Sequence, residues 1–312
     1  MMMPFFADAN LRCRWQNRGM NPTFFIRANG DRIDYFDSGT GSDLLIYHHG
    51  TPAAGPLHDD ILVPAAANDL RIVELVRPGY GHSTRVSGRS VAHIAHIAHE
   101  LAEHLGFSRY VTMGWSGGGP HSLATVALYP HACVAAMSLA GVAPFDADGL
   151  NFLEGMGQDN HEEFGAALAG ESEIRNFLSA IEEQMKVITG SQIIDMMSSL
   201  LPDEDRAVLT GEYADDEAEI FRWAVSTGVD GWLDDDIAFT QPWGFEVNGI
   251  LNPVTIWQGD TDLMVPTSHG RWLIAQLPNV DANLVQGHGH LSIASLAFDQ
   301  GFSWLKSKLT DA

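Results

Sequence analysis

Cysteine is almost absent: Cys13 and Cys133 are the two in the chain. Standing far apart, they imply no disulfide framework, and a reducing cytoplasm is the expected setting. Basic residues are scarce too, with 17 Lys and Arg against 40 Asp and Glu for a net charge of −23. That excess repels phosphate backbones and anionic surfaces, so nucleic acid is not an expected partner. No apolar run approaches the roughly 18 residues of a membrane span, and residues 1–20 lack an apolar signal-peptide core, so no membrane association is expected. Internal repeats are missing as well. What is present is core material: 45% of the 312 residues are hydrophobic and only 18% are charged, which argues against a mainly disordered chain.

Patterned sequence starts near Asn21, so residues 1–20 are expected to form a flexible arm. Thr23 to Ala28 and Arg32 to Phe36 flank Asn29-Gly30-Asp31, which predicts a hairpin and an antiparallel sheet edge. Leu44 to Tyr47 reads as a buried strand, and Arg71 to Val76, Tyr110 to Met113, Ala132 to Ala140, Val254 to Trp257 and Ala282 to Val285 read as further strands. Helical spacing marks Ser90 to Leu105, Gly118 to Tyr129, Ser268 to Leu277 and Leu291 to Leu309. The alternation predicts an α/β fold, a doubly wound and mostly parallel sheet of eight strands. The rhythm lapses between 146 and 236, where Glu173 to Val187 and Glu217 to Val225 read as helix. The expected organisation is therefore a core of 21–145 and 237–312 with a helical lid insertion at 146–236. That insertion holds 23 Asp and Glu against Arg175, Lys186, Arg206 and Arg222, and charge runs of this kind are expected to face water.

Gly114-Trp115-Ser116-Gly117-Gly118 fits G-x-S-x-G, with an apolar strand before it and a helix after it, the context a nucleophile elbow requires. The turn would strain the serine backbone, and glycines are needed where a Cβ would strike the adjoining strand and helix. A serine hydroxyl needs a base within reach, itself oriented by a carboxylate. Asp262, in Gly259-Asp260-Thr261-Asp262, follows the strand at Val254 and is preferred over Asp260 as the acid; Asp146 is a lesser candidate. Gly287-His288-Gly289-His290 precedes the last helix, and His290, next to apolar Leu291, is preferred over His288 as the base. An oxyanion hole needs two N–H donors: Gly117, the residue after the serine, and Thr51, since Pro52 has none to give.

These pieces, His49-Gly50, Arg77-Pro78-Gly79-Tyr80-Gly81, the Ser116 elbow, Asp262 ahead of Val265-Pro266, and Gly289-His290, stand in an order that resembles the α/β-hydrolase superfamily over residues 22 to 309. The resemblance implies a serine hydrolase without a cofactor, acting on a small-molecule ester, lactone or amide. A serine at the elbow speaks against the dehalogenase and epoxide hydrolase branches, where aspartate stands. His49-Gly50-Thr51-Pro52 departs from the HGGG loop of many lipases and from the HGGPG loop of proline iminopeptidases, so the subfamily stays open. Carboxylesterase or lactonase is the first expectation; a proline-iminopeptidase-like aminopeptidase, a carbon–carbon bond hydrolase and a non-catalytic receptor are the alternatives. His93, His96 and His99 share a helix with Glu100 and Glu103, but a solvated face accounts for them and no metal is expected. Trp223, Trp232 and Trp243 either line an acyl pocket or pack within the lid.

Overall fold

Six-residue strands buried on both faces dominate the middle of the chain, as parallel sheets covered by helices demand. The computed structural model describes residues 21–310, so the arm expected at 1–20 lies outside the described residues. The strands are β1 (Thr23–Ile26), β2 (Arg32–Asp37), β3 (Asp43–His48), β4 (Leu70–Leu75), β5 (Tyr110–Trp115), β6 (Cys133–Leu139), β7 (Val254–Gly259) and β8 (Val280–Val285). They form one sheet in the order β1-β2-β4-β3-β5-β6-β7-β8. β1 and β2 pair antiparallel, as do β2 and β4, and the remaining pairs are parallel. The eight-stranded α/β sheet and its antiparallel edge agree with the expectation from the sequence.

Side chains alternate across the pleat and so feed two cores. Leu44 and Ile46 of β3 face the layer holding α2 (Val91–His104) and α3 (Gly119–Leu128). Leu45 and Tyr47 face the layer holding α1 (Asp59–Ala67) and α11 (Ala294–Thr310). Leu45 and Ile46 are fully buried, and truncating either to alanine would cost about 2–5 kcal/mol.

The chain leaves β3 to build β4 on one side and then crosses back to build β5 on the other. A crevice opens at such a reversal, beyond the carboxyl ends of the strands. Between β6 and β7 the chain inserts α4 (Gln158–Ala169), α5 (Glu171–Met185), α6 (Gly190–Met196), α7 (Asp203–Val208), α8 (Gly211–Ala224) and α9 (Asp230–Phe239). The last helix before β8 is α10 (Thr267–Gln276). Among the described residues no helix is long and apolar enough to cross a membrane.

Candidate active site

Ser116 ends β5 and begins the turn into α3 with φ of +55°, a left-handed backbone that a non-glycine residue adopts only where its surroundings enforce it. The glycines around it are required by contact. A Cβ on Gly114 would overlap the carbonyl of Gly118, and one on Gly118 would overlap the carbonyl of His48 in β3. Strand and helix thus approach too closely for any side chain but the one that projects, Ser116.

His290 is buried in the loop after β8, and its Nδ1 lies 2.8 Å from Oδ2 of Asp262. A carboxylate oxygen accepts, so Nδ1 carries the proton and Nε2 is left with its lone pair. Asp262 is held in turn. Its Oδ1 accepts the backbone N–H groups of Met264 and Val265, both at 2.8 Å, and its Oδ2 accepts Nε2 of Gln258 at 3.0 Å. The neighbouring alternatives are engaged elsewhere: Asp260 accepts the N–H of Gly287, and Nδ1 of His288 meets the carbonyl of Ser292. Asp146 stands in the loop after β6, exposed. Burial pushes the His290 imidazole down, but Asp262, with Asp205 and Glu217 behind it, more than offsets this and leaves its pKa above the ordinary 6.5.

Thr51 and Gly117 are brought side by side. A Cβ on Gly117 would stand 2.8 Å from Cβ of Thr51 and 3.0 Å from Cζ of Phe239 in α9. The Thr51 loop rests on a buried ionic cluster. Oγ1 of Thr51 donates to Oδ2 of Asp235 at 2.8 Å, and Arg77 donates to the carbonyls of His49 and Gly50 and to Asp235. Arg89 and Tyr80 complete the shell of Asp235 at 2.5 and 2.8 Å. Burial alone would raise the Asp235 carboxyl, but the two guanidinium groups hold it well below the usual carboxylate range.

A cavity of about 420 Å³ joins these groups; Ser116, Gly117, Thr51 and His290 all line it. Its volume is in the range of small-molecule sites. Trp232 is on its wall, whereas Trp223 packs against Phe36 and Trp243 stacks on Phe245. Asp60, Glu74, Asp159, Glu162, Glu163, Glu217 and Asp236 also line the cavity, with no Lys or Arg among the lining residues. The expectation that the acidic insertion faces water therefore needs correcting: Asp205, Glu217, Asp234, Asp235 and Asp236 are all buried. Burial lifts Glu163 to about 7 and Glu217 to about 8.

On α2, His96 bonds the Tyr129 hydroxyl, His99 stacks on the same ring and Glu100 pairs with Arg27. His58, Asp216 and Glu219 each bring one potential ligand atom within 4.8 Å of the others. Nδ1 of His58 faces Asp216 at 3.3 Å and its Nε2 faces Glu219 at 3.8 Å, while burial holds the imidazole pKa below its ordinary value. Asp205, Asp235 and Gln258 were not singled out in the sequence. The only signals they carry there are membership of an acidic run and proximity to Asp262.

A doubly wound sheet with a strained serine at the turn after its fifth strand, and an Asp–His pair on the loops after its last two, defines a class of α/β enzyme scaffold. The chain belongs to the alpha/beta hydrolase fold family, whose model matches residues 43–295. Haloalkane dehalogenase 2 of Mycobacterium bovis is 40% identical over 95 residues, 30% of this chain and 32% of that protein. A bifunctional esterase/perhydrolase of Acinetobacter calcoaceticus is 30% identical over 118 residues, 36% of this chain and 43% of the other. The chain thus spans about a third of the length of the curated relatives it matches first. Among solved structures, a bromoperoxidase from Bacillus anthracis superposes with a TM-score of 0.67 at 20% identity, covering 92% of this chain and 100% of the other. An enol-lactonase from Burkholderia xenovorans gives 0.64 at 16% identity, with coverage of 92% and 100%.

Proposed function

We propose that the chain is a serine hydrolase that cleaves a carboxylic ester or lactone through an acyl-enzyme on Ser116. The observation that carries this is the left-handed Ser116 on the wall of the same cavity as a His290 whose Nδ1 is hydrogen-bonded to Asp262. Oγ of Ser116 attacks the carbonyl carbon while Nε2 of His290 takes its proton. The N–H groups of Thr51 and Gly117 receive the oxyanion, and His290, now an imidazolium stabilised by Asp262, protonates the leaving oxygen. Water then enters by the same base and releases the acid. The insertion α4 to α9 acts as the lid, supplying Trp232, Glu163, Glu217 and Asp236 to the cavity wall. The haloalkane dehalogenase likeness does not extend to chemistry in this reading, because position 116 is serine and not the aspartate of that branch.

Lifted by burial, Glu217 at about 8 is largely protonated near neutrality and Glu163 at about 7 is half so, and this wall suits a neutral acyl group. The seven acids of the lining, without a Lys or Arg among them, favour a second reading: an aminoacyl amide whose ammonium group would draw them into the charged form.

Steady-state hydrolysis of p-nitrophenyl esters, simple lactones and aminoacyl amides separates the two. Turnover of the esters or lactones that vanishes in Ser116→Ala is expected. Amides turned over in preference, with the Michaelis constant raised in Glu163→Gln or Glu217→Gln, would favour the second reading. A folded protein that ignores every substrate would leave the receptor or the carbon–carbon hydrolase.

A further inference from the structure

Asp205 belongs to α7 in the insertion, yet its carboxylate is fully buried and serves none of the insertion's own charges. Oδ2 accepts the backbone N–H of His290 at 2.8 Å. Oδ1 accepts the N–H groups of Leu291 at 3.1 Å and Ser292 at 2.8 Å. Three consecutive peptide donors therefore converge on one side chain from the other side of the insertion boundary. The fit is close enough to dictate the neighbouring residue, since a Cβ on Gly289 would stand 2.5 Å from both Asp205 oxygens. Asp234 and Asp235 of the insertion are matched by Arg85 and by Arg77 and Arg89; Asp205 is matched by the loop that carries the base.

We propose that Asp205 is a positioning residue for the hydrolytic reaction, fixing the His290 loop from the insertion and adding a second negative charge behind the imidazole. The proposal rests on the reading of His290 as the general base. Asp262 sets the tautomer through Nδ1, while Asp205 sets where the backbone that carries the ring can stand. A displacement of about 1 Å in a catalytic group costs on the order of 10²-fold in rate, so three hydrogen bonds to the base loop have kinetic weight. The charged and titratable groups around His290 are Asp262 from the loop after β7, Asp205 from α7 and Glu217 from α8, with the Trp115 ring of β5 stacked at 6.3 Å. Each of these carboxyls favours the imidazolium when ionised, so removing the Asp205 charge lowers the pH at which the base protonates. The insertion is in consequence part of the catalytic apparatus at α7.

The test is Asp205→Asn, which keeps the shape of the side chain and turns one acceptor into a donor. On p-nitrophenyl acetate, kcat is expected to fall about 10²-fold with the Michaelis constant within about threefold, and the acidic limb of kcat/KM to move to lower pH. Asp205→Glu restores part of the rate by returning the charge and the acceptors. An NMR titration of the His290 ring in wild type and variant reads the same displacement without substrate, so the hold of Asp205 on His290 stands or falls by it separately from the functional reading, which fails if the wild type hydrolyses no ester. If Asp205→Asn does not fold, Gly289→Ala, which pushes the carboxylate aside with its charge retained, takes its place and should lower kcat in the same way. A folded variant with a lowered melting temperature but wild-type kcat, pH profile and ring titration would make Asp205 a folding residue alone and overturn the proposal.

Discussion

Asp235 and Asp236 are consecutive residues of α9, both buried, and their chemistry is opposite. Asp235 turns toward the Thr51 loop, where Arg77 and Arg89 keep it ionised far below the usual range. Asp236 turns toward the cavity, where burial and then the nearby Glu163 carboxyl push it well above that range. The contrast extends to two regions. On the Thr51 side Asp235 is matched by two guanidinium groups; on the cavity wall Glu74 accepts the N–H of Gly55 and Glu163 that of the Trp232 indole, and no Lys or Arg stands among the lining residues. Burial by itself does not set the state of a carboxyl. What faces it decides whether the site is a fixed charge that holds backbone in place or a neutral wall that can meet a substrate.

Four outcomes would sharpen that contrast or break it. The largest falls on the matched acid at the base: Asp262→Asn should leave the protein folded and lower kcat by about 10⁴-fold, because an amide cannot hold His290 in the required tautomer. A loss under tenfold in ester turnover would move Asp262 out of the machinery. Next, Asp235→Asn strands two buried guanidinium groups and should cost about 3–5 kcal/mol in denaturant unfolding. A cost below about 1 kcal/mol would mean that water or another acid replaces it.

Glu217 should behave the other way. Its folded pKa of about 8 lies above the ordinary 4.5, so the unfolded chain ionises first and stability falls as pH rises from about 4.5 to about 8. Glu217→Gln, neutral throughout, should raise the melting temperature at pH 8 by on the order of 3 °C and leave it unchanged at pH 4. Equal effects at both pH values would show that the wall is ionised. The smallest effect concerns the raised His290: the base must be neutral, so the acidic limb of kcat/KM should lie above pH 6.5. A limb below that value would mean that burial outweighs the three carboxyls.

Much of the fold and of the candidate site was legible because periodicity and turn chemistry are local signals. The β5–Ser116–α3 turn is written in its glycines, and each strand of the sheet was visible as an apolar run within a few residues of its observed ends. α1 escaped notice because Pro64 lies inside it, removing an amide where a helix normally uses one. The pairings of Asp205 with the His290 loop and of Asp235 with Arg77 span 85 and 158 positions, and no window of sequence holds both partners. The acidic run therefore read as solvated surface, although part of it turns inward to two different tasks.

The central claim, that Ser116 is activated by His290 at the end of β5, is tested most directly by an active-site-directed fluorophosphonate followed by mass mapping of the adduct. A single adduct on Ser116 in the wild type, lost in Ser116→Ala and His290→Ala and retained in His288→Ala, is the predicted result. No adduct on well-folded protein, or labelling indifferent to His290, would contradict it.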